Sequence, residues 1–391
     1  MISFEEAYKL VTESVFETGT EEIDFIDSCG RILAEDIRSD EDIPAFDRSA
    51  VDGYACSRES LDFEMEIVDF IPAGKKPSVR VGWKQCSKIM TGAWIPEGCD
   101  VVIMVEETVT LPSGKIKFTG SDPKPNIMYR GEDVKAGEVV LKKGIEIKPQ
   151  DIGVMASLGH IRVSVGKKPS IGIISTGNEL VEPSSRPSPG QIRNSNAYQL
   201  TAQTIRAGAV PSYYGIAVDE EEATYNLIKK ALVENDIVIL TGGVSMGDLD
   251  LVPDVLRRLG VDILFTRIAV QPGKPTTFGV CPEALVFALP GNTVSSFVQF
   301  ELLVRPAILR MMGYELNPVI LRLPIGKSFR RSRADRKGWL PVKITVDGFA
   351  IPVEYHGSAH LASLSGADGL ISVPAGKYVI EKGEIVDFRR I

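Results

Sequence analysis

Asp236-Ile-Val-Ile-Leu-Thr-Gly-Gly-Val-Ser-Met-Gly-Asp-Leu-Asp250 decides the fold. Ile237 to Leu240 are four consecutive apolar residues, three of them β-branched, the pattern of a strand buried on both faces of a parallel sheet. The run stops at Thr241-Gly242-Gly243, where a chain leaving a sheet bends sharply and exposes backbone N–H groups. A helical pattern follows, with Pro253 near its start and Val252, Val255, Leu256 and Leu259 as its apolar stripe. Strand, glycine loop and helix together make an anion or phosphate cradle, because free N–H groups and the helix dipole point at the ligand. Asp248 and Asp250 lie in the same loop, and carboxylates beside a phosphate call for a hard cation such as Mg²⁺ between them. Taken alone, the glycine pair reads equally well as a tight turn.

The pattern recurs. Ser170-Ile-Gly-Ile-Ile-Ser-Thr-Gly-Asn-Glu-Leu180 is a second apolar strand, ending in Thr176-Gly177. Ala284-Leu-Val-Phe-Ala-Leu-Pro-Gly-Asn-Thr-Val-Ser-Ser296 is a third, ending in Pro290-Gly291-Asn292 before a long helix. Three strands of one parallel sheet place three such loops along one edge, the edge at which doubly wound α/β folds bind ligands. Further strands are expected at about 210–218 and 263–268, with helices at about 196–207, 220–234, 252–259 and 293–312. Asp219 follows the second strand directly and serves as N-cap, ligand contact or both. Pro272-Gly-Lys-Pro275 holds Lys274 on a rigid loop as a point charge for an oxyanion. Ser295 and Ser296 open the last helix, where the dipole favours an anion.

The flanks read as β structure. Ser3-Phe-Glu-Glu6 is a capping box that opens a helix with Phe4, Ala7, Tyr8 and Val11 on one face. Short strands at Phe63–Ile71, Ser78–Val81, Val101–Val105 and Lys115–Phe118 make a small β-rich domain. Within and beside it lie three polar loops: Pro44–Ala55, Ile89–Ala93 and Asn126–Asp133. The first reads from sequence as a turn cornered on Asp52-Gly53. After Pro318 strands return, with Asp347-Gly348 a hairpin turn, one long strand at Tyr378–Phe388 and a basic run at Arg330–Lys337.

At 391 residues the chain exceeds one ordinary core and divides into two to four domains. A net charge of −8 argues against nonspecific nucleic-acid or anionic-membrane binding. No apolar run reaches the roughly 18–20 residues that span a bilayer, and no signal peptide is evident. Five cysteines with no C-x-x-C pair fit a reducing cytoplasm. His356 and His360 lack a third ligand, so zinc is not expected.

Several ordered motifs, spread over essentially the whole chain, together carry a resemblance. They are Pro44-Ala-Phe-Asp-Arg-Ser-Ala-Val-Asp-Gly-Tyr-Ala55, Met90-Thr-Gly-Ala93, Arg130-Gly-Glu-Asp133, Ser175-Thr-Gly-Asn-Glu-Leu180, Thr241 to Asp250, Pro272-Gly-Lys-Pro275 and Leu289-Pro-Gly-Asn-Thr-Val-Ser-Ser296. With them the sequence resembles the molybdopterin molybdenumtransferase family, which includes MoeA and the gephyrin E domain.

The resemblance implies a multidomain α/β and β protein with a central doubly wound, MogA-like α/β domain. It implies a discontinuous linker and dimerisation domain (1–45 with 141–167), a β-rich inserted domain (46–140), the molybdopterin-binding domain (168–317) and a β-barrel-like C-terminal domain (318–391). An elongated cytoplasmic homodimer is implied too. The implied reaction inserts molybdate or tungstate into adenylylated molybdopterin, with Mg²⁺, and releases AMP. A MogA-type adenylyltransferase and acceptor molybdoenzymes are the implied partners.

Carried over residue by residue, the resemblance makes Asp52, Thr91, Asp133 and Glu179 polar catalytic positions. Asp52 is the candidate general base or metal contact. Gly242, Gly243 and Ser245 belong to the phosphate loop, and Asp219 and Asp250 face the adenylyl group or hold Mg²⁺. Lys274, Ser295 and Arg336 bind molybdate by charge and hydrogen bonds. Val51, Met128 and Thr293 depart from the family pattern, and Met128 leaves an anion site one cation short unless Arg130 stands in. A molybdopterin carrier or scaffold and a MogA-like adenylyltransferase are the alternatives. Asp52, Asp250 and Lys274 favour catalysis over scaffolding, and the β-rich domains favour the transferase.

Overall fold

The strand expected at the centre of the sheet is Ile237–Thr241, buried at all five positions. The structure, a computed structural model, describes the chain except Asp219 and residues 244–251, 315–319 and 354–360, and of residue 361 only the backbone. Ser245, Asp219, Asp248, Asp250, His356 and His360 therefore lie outside the described residues. The chain divides into two units, each discontinuous in sequence. One holds Met1–Glu35, Gly144–Lys148 and Arg162–Ile391; the other holds Asp36–Lys143 and Pro149–Ile161.

In the larger unit the α/β elements run β1 (Ser170–Thr176), α1 (Asn196–Arg206), β2 (Val210–Ala217), α2 (Glu221–Glu234), β3 (Ile237–Thr241), α3 (Val252–Arg258), β4 (Asp262–Phe265), β5 (Thr277–Cys281), β6 (Ala284–Leu289) and α4 (Thr293–Gln299). They form one six-stranded sheet in the order β2-β1-β3-β6-β5-β4. The first four strands are parallel, and β5 and β4 are antiparallel to their neighbours. Successive side chains of a strand point to opposite faces, so a strand covered on both sides must be apolar throughout. Ile171, Ile173, Ile237, Ile239, Leu285 and Phe287 pack under Leu200 of α1 and Val294 and Val298 of α4. The alternate residues Ile174, Val238, Leu240, Val286 and Ala288 pack under Ile228 of α2 and Val255 and Leu256 of α3. Burying each of the larger side chains contributes about 1.5–3 kcal/mol.

Two features of this sheet differ from the expectation. β4 is an antiparallel edge strand, and the last three residues of the Ala269–Gly279 loop open the strand β5. Gly279 marks the reason: a Cβ there would lie 2.6 Å from Val261 Cγ1, so the strand closes on β4 only with glycine. α4 continues through a π-type segment, Phe300–Val304, into the helix Arg305–Met311, as expected for one long helix.

The C-terminal strands form a sheet in the order Val270–Gln271, Lys337–Ile344, Gly369–Val373, Ile385–Arg390 and Leu321–Pro324, with Ala350–Pro352 also on Lys337–Ile344. A parallel bridge from Ile325 to Ala350 joins the outer strand to that extra one and closes the β ring. The expected strand at Tyr378–Phe388 is two strands, Val379–Ile380 and Ile385–Arg390, broken at Gly383 with φ +85°. Val270–Gln271 pairs with Lys337–Gly338, so the lysine loop starts from an edge of this β structure. At the N-terminus Ser3 Oγ accepts from Glu6 N–H, capping the helix Phe4–Glu13.

The smaller unit is built on a mixed six-stranded sheet in the order Val101–Met104, Gly53–Cys56, Gln85–Ile89, Glu64–Ile71, Ile116–Phe118, Thr108–Thr110. Gln85–Ile89 takes the place expected for Ser78–Val81. Gly53–Cys56 is buried throughout and paired on both sides. Cys56 and Cys86 lie in its core, where burial pushes both thiols up to about 12.

Candidate active site

The strand order reverses between β1 and β3, since the chain leaves β1 toward β2 on one side and returns to β3 on the other. Such a point leaves a crevice beyond the carboxyl ends of the strands. A cavity of about 500 Å³ lies there, lined by Thr176, Gly177 and Glu179 after β1, by Gly242 and Gly243 after β3, and by Pro290 to Thr293 after β6. The glycines are required. Gly242 has φ +95°, and a Cβ on it would sit 2.5 Å from Thr176 O; one on Gly243, at φ +62°, would sit 2.8 Å from Thr176 Oγ1. The two loops touch through backbone, which leaves room above them for a ligand. Thr176 Oγ1 is buried with no hydrogen-bond partner among the described residues. The exposed Glu179 carboxylate folds back over Gly177, where a Cβ would be 2.4 Å from Glu179 Oε2.

The lysine loop is pinned from below. Buried Gln299 of α4 donates from Nε2 to Pro272 O at 2.9 Å, and Thr276 Oγ1 donates to Gly273 O at 2.7 Å. A Cβ on Gly273, φ +102°, would collide with Gln299 Nε2 at 2.3 Å. The Lys274 carbonyl accepts from Ile268 and Thr276, while its side chain is exposed and lines neither this cavity nor the next. Ser295 is buried inside α4, off the cavity wall; Asn292 is the N-cap and Thr293 the first turn that faces the space.

A larger cavity, about 650 Å³, opens where Gln271-Pro272 meets the C-terminal strands, and Arg330, Arg331, Arg333 and Arg336 line it. Arg336 donates from Nη1 to Val270 O at 3.1 Å and pairs with Asp335 at 3.2 Å. Arg331 is buried and donates to Arg336 O, Gln271 Oε1 and Pro374 O. Burial pulls its guanidinium below the ordinary arginine range. Lys337, at the end of the same basic run, pairs instead with Glu5 at 2.8 Å.

The other unit holds Asp52, Thr91 and Asp133. Asp52 stands exposed just before the buried strand Gly53–Cys56. Its Oδ1 accepts from Thr91 N–H and from Thr91 Oγ1, each at 2.7 Å. Those bonds favour the ionised form, and the carboxyl is held below the usual carboxylate range, chiefly by the Thr91 N–H. The sequence expectation of a turn at Asp52-Gly53 is replaced by a strand start. Gly53 is needed because a Cβ would lie 1.9 Å from Ile103 O. Asp133 is exposed in a turn whose N–H bonds Ile43 O. Arg130 is bound to Asp42 at 2.7 Å, and the residue paired in register with Met128 is Arg48. Among the described residues no group of three His, Cys, Asp or Glu side chains is placed to hold a metal ion. Both Thr91 bonds fall on one Asp52 oxygen, and Oδ2 is a hard oxygen of the type that Mg²⁺ ligates.

Sequence reasoning missed the asparagines. Asn196 Nδ2 donates to Thr241 Oγ1 at 2.8 Å and to Gly291 O at 2.7 Å, tying the ends of β3 and β6 together at the cavity wall. Asn194 accepts from Ser175 Oγ and donates to Tyr213 OH, which in turn donates to Glu182. The one available signal was the pair Asn194-Ser195-Asn196 ahead of α1, which reads as ordinary capping.

Comparison with known proteins agrees with this architecture. Residues 2–159 match the "MoeA N-terminal region (domain I and II)", residues 172–310 the "Probable molybdopterin binding domain" and residues 327–390 the "MoeA C-terminal region (domain IV)". The chain is 36% identical to the molybdopterin molybdenumtransferase of Bacillus subtilis, covering 98% of this chain and 93% of that one. It is 34% identical to that of Staphylococcus epidermidis, covering 99% and 94%. The crystal structure of the molybdopterin biosynthesis moeA protein from Pyrococcus horikoshii OT3 superposes over all of both chains with a TM-score of 0.88 at 32% identity. With relatives above 30% identity over nearly the full length of both partners, the chain belongs to the molybdopterin molybdenumtransferase family.

Proposed function

We propose that this protein is the transferase that inserts molybdate into adenylylated molybdopterin, with hydrolysis of the phosphoanhydride and release of AMP. One observation carries the reading: the glycine loops after β1 and β3 meet through backbone at the switch point of a parallel sheet, beneath an open cavity. A phosphate there approaches bare glycine backbone and the Thr176 hydroxyl, while the Gly177 and Gly242 N–H groups are donated to Ala217 O and Leu289 O. Gly242 and Gly243 seat the pterin phosphate, with Ser245 from the same loop, and Glu179 orients the ligand over Gly177.

The oxyanion goes to the cationic side. Lys274, on its pinned loop, and Arg336 bind molybdate by charge; Ser295, also assigned to molybdate from the sequence, is buried in α4. Asp52 acts as general base or metal contact, with Thr91 holding it ionised and oriented; Asp133 is a further polar contact. Mg²⁺, when bound, would supply charge neutralisation at the split phosphoanhydride; Asp52 and, separately, Asp250 are the carboxylates proposed to hold it. Asp219 contacts the adenylyl group. The domain division 1–45 with 141–167, 46–140, 168–317 and 318–391 completes the reading.

The protein works as a cytoplasmic homodimer, receives its substrate from a MogA-type adenylyltransferase and passes the cofactor to acceptor molybdoenzymes. Five unpaired cysteines support a reducing compartment. Exposed apolar residues at Ile192, Tyr198 and Ile205 support self-association.

The test is AMP release from adenylylated molybdopterin with Mg²⁺, molybdate against tungstate, in wild type and Asp52→Ala. Release that depends on the oxyanion and is lost in Asp52→Ala is the expected result. Tight binding of the adenylate with no release under either oxyanion would leave a carrier and overturn the transferase reading.

A further inference from the structure

The larger unit contains another cavity, of about 270 Å³, that shares no lining residue with either cavity described above. Its walls carry four guanidinium groups, Arg206, Arg305, Arg389 and Arg390, against two carboxylates, Glu146 and Glu301. Glu301 is already committed. Its side chain is 1% exposed, it accepts from Gln203 Nε2 at 2.6 Å, and it pairs with Arg206 and, at 3.6 Å, with Arg305. It sits in the π-type segment Phe300–Val304, a helix irregularity of the kind that re-aims side chains at functional sites.

Among the lining residues guanidinium groups exceed carboxylates by two, in a chain whose net charge is −8. The donors are unbalanced as well. Arg389 Nη1 and Arg305 Nε are buried without a hydrogen-bond partner among the described residues. Burial, chiefly, pulls the Arg389 guanidinium below the ordinary arginine range; Tyr8 and Glu301 oppose that shift and Arg305 adds to it. A buried guanidinium N–H with no acceptor is costly, and native structures rarely leave one so. The excess of guanidinium groups around the cavity fits an anion with about two charges and several acceptor oxygens. A phosphate group carries about −1.5 to −2 at neutral pH and presents three strong acceptors, and guanidinium forks bind it bidentately.

We propose that the cavity walled by Arg206, Arg305, Arg389 and Arg390 is a second anion site, built for a phosphate group, either free phosphate or the head of a small phosphate monoester. It rests on none of the residues assigned to molybdopterin or molybdate, so it stands or falls separately from the transferase reading.

Titration calorimetry of the full-length protein with inorganic phosphate, glycerol phosphate and succinate tests it. Wild type, Arg390→Ser, Arg389→Met and Lys274→Ala are compared. Arg390 is exposed, so R390S keeps the fold even if R389M does not. The expected result is saturable phosphate binding that weakens about tenfold in R390S, through loss of a charge-assisted contact, and is unchanged in K274A. Tighter glycerol phosphate than free phosphate assigns a monoester, and the reverse assigns the free ion; both support the site. Equal phosphate affinity in wild type and R390S, no saturable binding in wild type, or succinate binding as tightly as phosphate each overturns it. So does a loss of phosphate binding that tracks dimerisation, since a second copy would then be supplying the acceptor.

Discussion

Thr91 gives both its backbone N–H and its hydroxyl to a single oxygen of Asp52, at 2.7 Å each, across 39 residues of sequence. The exposed carboxylate has its orientation fixed by one residue, and its negative charge is favoured by the same two bonds.

Thr91→Val removes the hydroxyl and keeps the N–H. The Asp52 carboxyl then rises toward its ordinary value of about 3.9 without reaching it. Because the folded-state value is depressed in wild type, the associated stability is present above the unfolded value and fades as pH falls through the folded one. A carboxyl ¹³C NMR titration reads the shift. The acid limb of AMP release moves to higher pH in T91V, and a carboxyl that titrates identically in both proteins would remove Thr91 from this role.

Gly242→Ala meets two penalties, a left-handed backbone at φ +95° and a Cβ 2.5 Å from Thr176 O. Gly190→Ala, at φ +86° with open space around it, meets only the first. The expected losses are about 3 kcal/mol for G242A and about 1 kcal/mol for G190A. Urea denaturation of the two variants separates them, and equal losses would show that the loops do not need their close approach.

Gln299→Leu leaves the Pro272 carbonyl without its donor and loosens the loop that carries Lys274. A buried unsatisfied carbonyl costs about 1–3 kcal/mol. The variant should lose that much stability and raise KM for molybdate more than it lowers kcat. A variant with wild-type KM would mean that Lys274 does not depend on this anchor.

Asn196→Ala severs the link from α1 to the ends of both β3 and β6. We expect a loss of about 1–3 kcal/mol together with weaker molybdopterin binding, because Thr241 and Gly291 lose the shared donor that sets their spacing. Fluorescence titration with molybdopterin measures it, and unchanged affinity in the destabilised variant would confine Asn196 to the fold.

Much of the α/β sheet was legible because its signal is local. Ile237 to Leu240 had to be a doubly buried strand, and the glycines after it had to release the backbone. β5 was not legible. Pro272, Gly273 and Pro275 signalled a loop just ahead of Thr277, and only the packing of Gly279 against Val261 shows where the loop ends. Gly53 was read as a turn for a similar reason, since its real constraint is the Ile103 carbonyl on a neighbouring strand. Within the candidate site, the glycine loops and Lys274 were visible, but Ser295 was expected at an anion site and is buried in α4.

By itself the sequence determined the parallel strands and the helices of the α/β sheet, which of those strands are buried on both faces, and where the backbone after them must be left bare. Hydrophobic periodicity and glycine conformation act within a few residues, so they can be read along the chain. Only the tertiary structure decided which polar groups meet. Asp52 with Thr91, Asn196 with Thr241 and Gly291, and Gln299 with Pro272 are hydrogen-bonded pairs separated by 27 to 95 residues. A hydrogen bond depends on distance and direction between atoms, and those are fixed by strand order and register after the chain has packed.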